Sequence, residues 1–140
     1  MTRVVLKIDW KVSAGDTVKS AVDRMVAHDI GALAVCEEGS DVVTGIFSER
    51  DYLRKVAFLD KDPTTTTVGS VSTNGAANLV SVTRGNPIDR CMEKMLGREV
   101  RHLFVRRKED DVIVGMLSVK VPGSFGANEG YLGDLARVLT

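Results

Sequence analysis

The sequence predicts an α/β (α+β) fold built from two tandem βαββ(α) repeats packed with pseudo-twofold symmetry. Three observations carry this. Residues 15–51 align with 85–121 without a gap, at a constant offset of 70. Each copy holds one stretch with the apolar spacing of a helix. Each copy then holds two short apolar runs split by a polar loop.

The repeat rests on eight identical positions: Gly15/Gly85, Met25/Met95, Leu33/Leu103, Val35/Val105, Asp41/Asp111, Val42/Val112, Gly45/Gly115 and Ser48/Ser118. Chance supplies about two over such a window. The helices follow from period. Val18, Ala21, Val22, Met25 and Val26 fall at i, i+3, i+4, i+7 and i+8, as do Ile88, Cys91, Met92, Met95 and Leu96. Such a stripe lies on one helix face. Asp16 and Asn86 stand ahead of these helices and suit the N-cap. Pro87 sits at the first helical position, where its missing N–H removes no bond.

The strands follow from composition. Ala32–Val35 with Val42–Phe47, and Leu103–Val105 with Val112–Leu117, read as hairpins closed by the polar loops Glu37–Asp41 and Arg106–Asp111. A further short strand is expected before each helix, around Trp10–Val12 and Leu79–Val82. A second helix is expected over Glu49–Leu59. The first repeat is therefore placed at 1–59 and the second at 79–121. Residues 60–78, rich in Thr, Ser, Gly and Asn, read as the connector. Residues 122–140 read as a tail broken by Pro122, Gly123, Gly126 and Gly130, with a helix resuming over roughly 129–139. A unit of this size buries too little surface alone, so the two copies are expected to pack face to face.

Composition narrows the function. With 44% hydrophobic residues a core is available, and 27% charged residues supply a polar surface. Nineteen Lys and Arg balance nineteen Asp and Glu, which argues against bulk nucleic-acid binding. No apolar run approaches the roughly 18 residues of a membrane span. Val4–Leu6 is too short for a signal-peptide core. An intracellular, cytoplasmic protein is expected, with an organelle open if a transit peptide has been removed. Cys36 and Cys91 show no metal-like spacing and read as free thiols near the core. No Cys–His or Ser–His–Asp arrangement points to catalysis, so the chain is read as no enzyme. No cofactor or metal is required by this reading.

The chemistry of one loop stands out. Ser48-x-x-Asp51 opens a helix, and a carboxylate accepts from the two O–H donors of a vicinal diol. A loop opening a helix offers N–H groups to an anion. Arginine offers a planar fork to phosphate, and a histidine beside it makes binding pH-sensitive. Simpler readings stand alongside. Ser48 and Asp51 fit a capping box, which is compatible with ligand contact. Arg50 fits a solvated helix residue. His102 fits a structural histidine, although Arg101 beside it makes a costly start to a buried strand.

A tandem of this unit, closed by Gly45-Ile46-Phe47-Ser48-Glu49-Arg50-Asp51 and running into Tyr52-Leu53-Arg54-Lys55, resembles the CBS domain, named for cystathionine β-synthase. Asp29-Ile30-Gly31-Ala32-Leu33 and Val100-Arg101-His102-Leu103 agree, and the resemblance covers roughly 4–121. It looks especially like the stand-alone pair proteins of bacteria and plant organelles. The resemblance implies a regulatory module that binds an adenosine-containing ligand in the cleft between copies. AMP, ADP or ATP is the leading class, with S-adenosylmethionine and NADH as alternatives. It implies Ser48 and Asp51 on the ribose side, Arg101 and His102 on the phosphate side, and Thr73 against the base, with Arg50 an additional contact. It also implies a homodimer and an unidentified regulated partner. The competing reading is an assembly or docking module with no physiological nucleotide.

Overall fold

The computed structural model describes residues 5–6, 10–75, 81–83, 90, 93–94, 96–97, 102–110, 112–119 and 136–139. In chain order the elements are β1 (Val5–Leu6), β2 (Lys11–Ser13), α1 (Val18–His28), β3 (Ala32–Cys36), β4 (Val43–Ser48) and α2 (Glu49–Tyr52). The chain continues from α2 as a π-helical stretch, Leu53–Ala57. Then come α3 (Val68–Val71), β5 (Thr73–Asn74), β6 (Ser81–Thr83), β7 (His102–Arg106), β8 (Ile113–Val119) and β9 (Ala136–Leu139). Two compact units result: Asp9–Leu79, and Val80–Thr140 together with Met1–Ile8.

The first unit holds a four-stranded sheet in the order β2-β3-β4-β5. The strands β2 and β3 run parallel, which requires a crossover, and α1 is that crossover. Its buried residues are Val18, Ala21 and Met25. Burying Val18 and Met25 contributes about 1.5–3 kcal/mol each. The apolar stripe is narrower than its spacing suggests, for Val26 is 75% exposed within this unit. The N-cap is Thr17, whose side chain accepts from the Ser20 N–H, and not Asp16 as the sequence suggested. Asp16 instead accepts from the Ser13 N–H at 3.2 Å and closes the turn after β2. The central strand β3 is buried at all five positions, as expected of a strand covered on both faces. Its Cys36 is buried.

The second unit holds a five-stranded sheet in the order β1-β9-β8-β7-β6. Its hairpin reproduces that of the first unit residue for residue. Ala32 pairs with Ser48 and Val35 with Gly45; His102 pairs with Ser118 and Val105 with Gly115. Both ladders slip at the same place, between Val35 and Cys36 and between Val105 and Arg106. The offset of the alignment is therefore a structural offset too. Arg90, Glu93, Lys94, Leu96 and Gly97 are helical, as the second apolar stripe predicts. Asn86, Pro87 and Cys91 lie outside the described residues.

Two segments pair in ways their sequence does not announce. The stretch read as a connector, 60–78, is folded into the first unit as far as residue 75, carrying α3 and β5. Val68 and Val71 are buried, and the run is stitched to the turn ahead of α1 by backbone bonds. The Val18 N–H donates to the Thr66 carbonyl at 2.9 Å, and the Val68 N–H to the Asp16 carbonyl at 2.8 Å. Polar threonines hid this because their backbone, not their side chains, makes the bonds. At the N-terminus, β1, which falls within the range 1–59 read as the first repeat, pairs with β9 in the sheet of the second unit.

The tail differs as well. Residues 136–139, expected in a helix, form β9, antiparallel to β8 and parallel to β1. Ala136, Arg137 and Leu139 are good helix formers, but local propensity is a weak prior, and here an open sheet edge that offers unpaired N–H and C=O groups outweighs it. The rest of 122–140 lies outside the described residues. No described helix is long and apolar enough to cross a membrane.

Candidate functional site

The site grows from the end of β4. Ser48 keeps an extended backbone, with φ −118° and ψ 166°, and the next residue begins α2. Orphan N–H groups at a helix start need acceptors. Asp51, three residues on, supplies one half of a reciprocal cap and Ser48 the other. The Ser48 N–H donates to Asp51 Oδ2 at 3.0 Å, and the Asp51 N–H donates to Ser48 Oγ at 3.3 Å. The same Ser48 hydroxyl donates to Asp51 Oδ2 at 3.1 Å. The capping box expected from Ser48-x-x-Asp51 is present.

The helix start is not an open anion cradle. The Glu49 N–H donates to the Gly31 carbonyl at 3.0 Å, and the Asp51 N–H is taken by Ser48. The donor set expected here for an anion is therefore partly spent within the protein.

Asp51 is only 6% exposed, one of two buried polar or charged residues among those described. A buried carboxylate is costly unless its oxygens are satisfied. The Oδ1 atom accepts the Thr73 hydroxyl at 3.1 Å and lies 3.0 Å from Lys55 Nζ. Thr73 reaches it because β5 lies beside β4, with Thr73 opposite Ile46 and Asn74 opposite Gly45. A Cβ on Gly45 would stand 2.6 Å from the Thr73 carbonyl oxygen and 2.4 Å from Asn74 Oδ1. Only a residue without a side chain lets the two strands come this close.

The structure thus brings Ser48, Asp51 and Thr73 together. Arg50 is exposed on α2 and is not one of the partners of the buried carboxylate named above. His102 is half-buried at the start of β7 in the second unit. Arg101 lies outside the described residues. One member of the cluster was missed in the sequence: Lys55. Its signal was the spacing, for an acid and a base four residues apart share one helix face. Its side chain is 41% exposed, so the pair with Asp51 is screened and worth little by itself.

A recess of about 400 Å³ lies at the other, hairpin end of the sheet, lined by residues including Ser13, Asp16, Glu37 and Asp41. It is separated from Asp51 by the length of β4. Among the described residues no group of three or more His, Cys, Asp or Glu is placed to hold a metal ion.

Two βαββ copies with matching register, one of them closing on a buried, hydroxyl-flanked carboxylate, define a tandem-repeat α/β protein. The CBS domain family matches residues 1–57 and 68–120, and the chain belongs to that family, which is regulatory and non-catalytic. The second match begins at 68, so α3 and β5 belong by sequence to the second repeat and by structure to the first unit.

The chain is 36% identical over 105 residues to the mitochondrial CBS domain-containing protein CBSX3 of Arabidopsis thaliana. That match covers 74% of this chain and 50% of the relative, so the chain spans about half the length of that curated protein. A protein with CBS domains from Burkholderia ambifaria MC40-6 is similar in structure, with a TM-score of 0.68 and 31% identity over 83% of this chain and 77% of that one. The CBS domain protein PAE2072 from Pyrobaculum aerophilum, solved in complex with AMP, shares the fold, with a TM-score of 0.68 and 21% identity over 81% of this chain and 82% of that one.

Proposed function

We propose that this chain binds an adenosine-containing nucleotide of the AMP, ADP or ATP class, and that occupancy signals metabolic state to a partner protein. The observation that carries the reading is Asp51: a buried carboxylate whose Oδ1 partners are two side chains, Thr73 and Lys55, and not backbone. Side-chain partners exchange for ligand hydroxyls without unravelling a helix or a sheet. A ribose diol supplies two O–H donors to an acceptor-only group. Ser48 holds the opposite oxygen and fixes the carboxylate plane. Thr73, at the sheet edge beside it, is the proposed contact toward the base. Arg101 and His102 are the proposed cations for the phosphate, and Arg50 an additional contact. PAE2072, a protein of the same fold, was solved with AMP, which supports the ligand class.

A thermal-shift screen over AMP, ADP, ATP, S-adenosylmethionine and NADH tests the reading, followed by titration calorimetry of the best ligand. A rise in melting temperature with one of the adenine nucleotides, abolished by Asp51→Asn, supports it. No shift with any of the five refutes it.

A second reading has its own support. Val26 and Phe58 are 75% and 81% exposed, and Leu53, Leu59 and Leu96 are exposed too. Apolar exposure of this kind favours association, and we propose a homodimer. Assembly without any nucleotide would show as a dimer in light scattering together with no ligand response.

A further inference from the structure

The geometry points to Lys55 as a specificity-determining group: it pairs with Asp51 and passes to the ligand's phosphate when a ribose displaces it. The inference rests on the nucleotide reading above and adds what the site selects, a phosphorylated nucleoside over the bare nucleoside.

The argument starts from a count of acceptors. A carboxylate offers about four lone-pair positions. In Asp51 all are engaged. The Oδ2 atom accepts from the Ser48 N–H and the Ser48 hydroxyl, and Oδ1 faces the Thr73 hydroxyl and the Lys55 ammonium. A vicinal diol therefore enters only by displacing resident donors.

The two sides of the carboxylate are unequal. The Oδ2 side is locked, because the Ser48 hydroxyl that donates to it also accepts the Asp51 N–H. Removing Ser48 dissolves the cap of α2. The Oδ1 side is held by groups that can move. Lys55 is the freer of them, with 41% of its side chain exposed against 7% for Asp51. A lysine stem has four rotatable carbons and strongly favours water or an anion for its head.

Displacement leaves that ammonium within stem's reach of the carboxylate it has left, beside the incoming sugar. A neutral nucleoside removes its anionic partner and returns none. A 5′-phosphate returns one. The exchange is thus nearly balanced for a ribose phosphate and unbalanced for a bare ribose. Lys55 makes the site discriminate by charge while Asp51 makes it discriminate by sugar.

Titration calorimetry of the full chain with AMP and with adenosine, at one fixed ionic strength, tests this with Lys55→Met, Lys55→Gln and Lys55→Arg. Two neutral variants are used so that one early-melting protein does not decide the result. The expected outcome is a fall of about tenfold in AMP affinity in both neutral variants, the size of one lost charge-assisted bond. Adenosine affinity should hold or rise, so the AMP-to-adenosine ratio falls by about the same factor, and Lys55→Arg should restore most of it. A neutral variant that weakens both ligands equally, or neither, overturns the inference while AMP binding by the native chain keeps the nucleotide reading. A native chain that binds neither AMP nor adenosine overturns both.

Discussion

The Thr73 hydroxyl donates to Asp51 Oδ1 at 3.1 Å, across 22 residues of sequence. This bond joins the strand that follows the first family match to the helix that closes it, and so ties the folding of 60–75 to the candidate site. A segment with the composition of a linker becomes part of the candidate site.

Asp51→Asn keeps the shape and replaces one acceptor oxygen with a donor. The donors that now face Asp51, from Ser48, Thr73 and Lys55, would meet an N–H₂ group. Destabilisation of about 1–3 kcal/mol is expected in urea or thermal melts. Nucleotide affinity should fall about 10- to 100-fold, as it should for Arg101→Ala. If both variants bind AMP like the native chain, the ligand does not sit at Asp51.

Thr73→Val is nearly isosteric and deletes the donor alone. It should cost about 1 kcal/mol of stability, whereas Thr73→Ser should stay close to native. Equal loss in the two variants would mean that Thr73 acts through its methyl group and not through its bond to Asp51.

Gly45→Ala places a methyl group 2.6 Å from the Thr73 carbonyl oxygen, a backbone atom that moves only with β5. Overpacking of this kind costs about 1–3 kcal/mol. The melting temperature should drop, and AMP affinity should drop with it because Thr73, the proposed contact toward the base, moves with β5. An unchanged melting temperature would show that β5 is held loosely enough to shift.

Asp62 reports on acid stability. Bonds from the Thr64 side chain and then the Thr64 backbone N–H hold its carboxyl below the ordinary value of 3.8. A carboxyl lowered in the folded state adds stability that is complete above the unfolded value. That contribution is lost as pH falls from about 3.8 through the lower folded value. A carboxyl titration followed by NMR should place the Asp62 midpoint below that of Asp62 in the unfolded chain. Asp62→Asn should remove this part of the acid limb, and an unshifted midpoint would refute it.

One tight nucleotide site per chain is expected. At the repeat offset, Val121 stands where Asp51 does, and Gly31 and Ala32 stand where Arg101 and His102 do. The edge of β8 is occupied by β9, whereas the equivalent edge of β4 is occupied by β5 with Thr73. Calorimetric stoichiometry near one supports this, and two equal sites would sink it.

Much was legible in the sequence because it is local or periodic. The helix α1 follows from its apolar spacing, the hairpins from β-branched runs, and the Ser48–Asp51 cap from a four-residue motif. The repeat offset is kept in the register, Ala32 on Ser48 and His102 on Ser118, because a strand slip of one residue would turn the buried face outward. Lys55 was readable in principle from its spacing to Asp51, but an acid–base pair on a helix is more often a solvated surface pair.

What only the tertiary structure decided concerns edges. A sheet edge takes any segment that can present backbone N–H and C=O groups, and such pairing leaves little mark on side-chain identity. Hence β5 in the threonine-rich stretch, β9 in the expected helix and β1 in the other unit's sheet were all hidden. The sequence by itself determined the repeat, the core of each copy and the carboxylate at Asp51. The fold alone determined which distant strand would stand beside that carboxylate, because edge pairing is a backbone choice and Thr73 came with it.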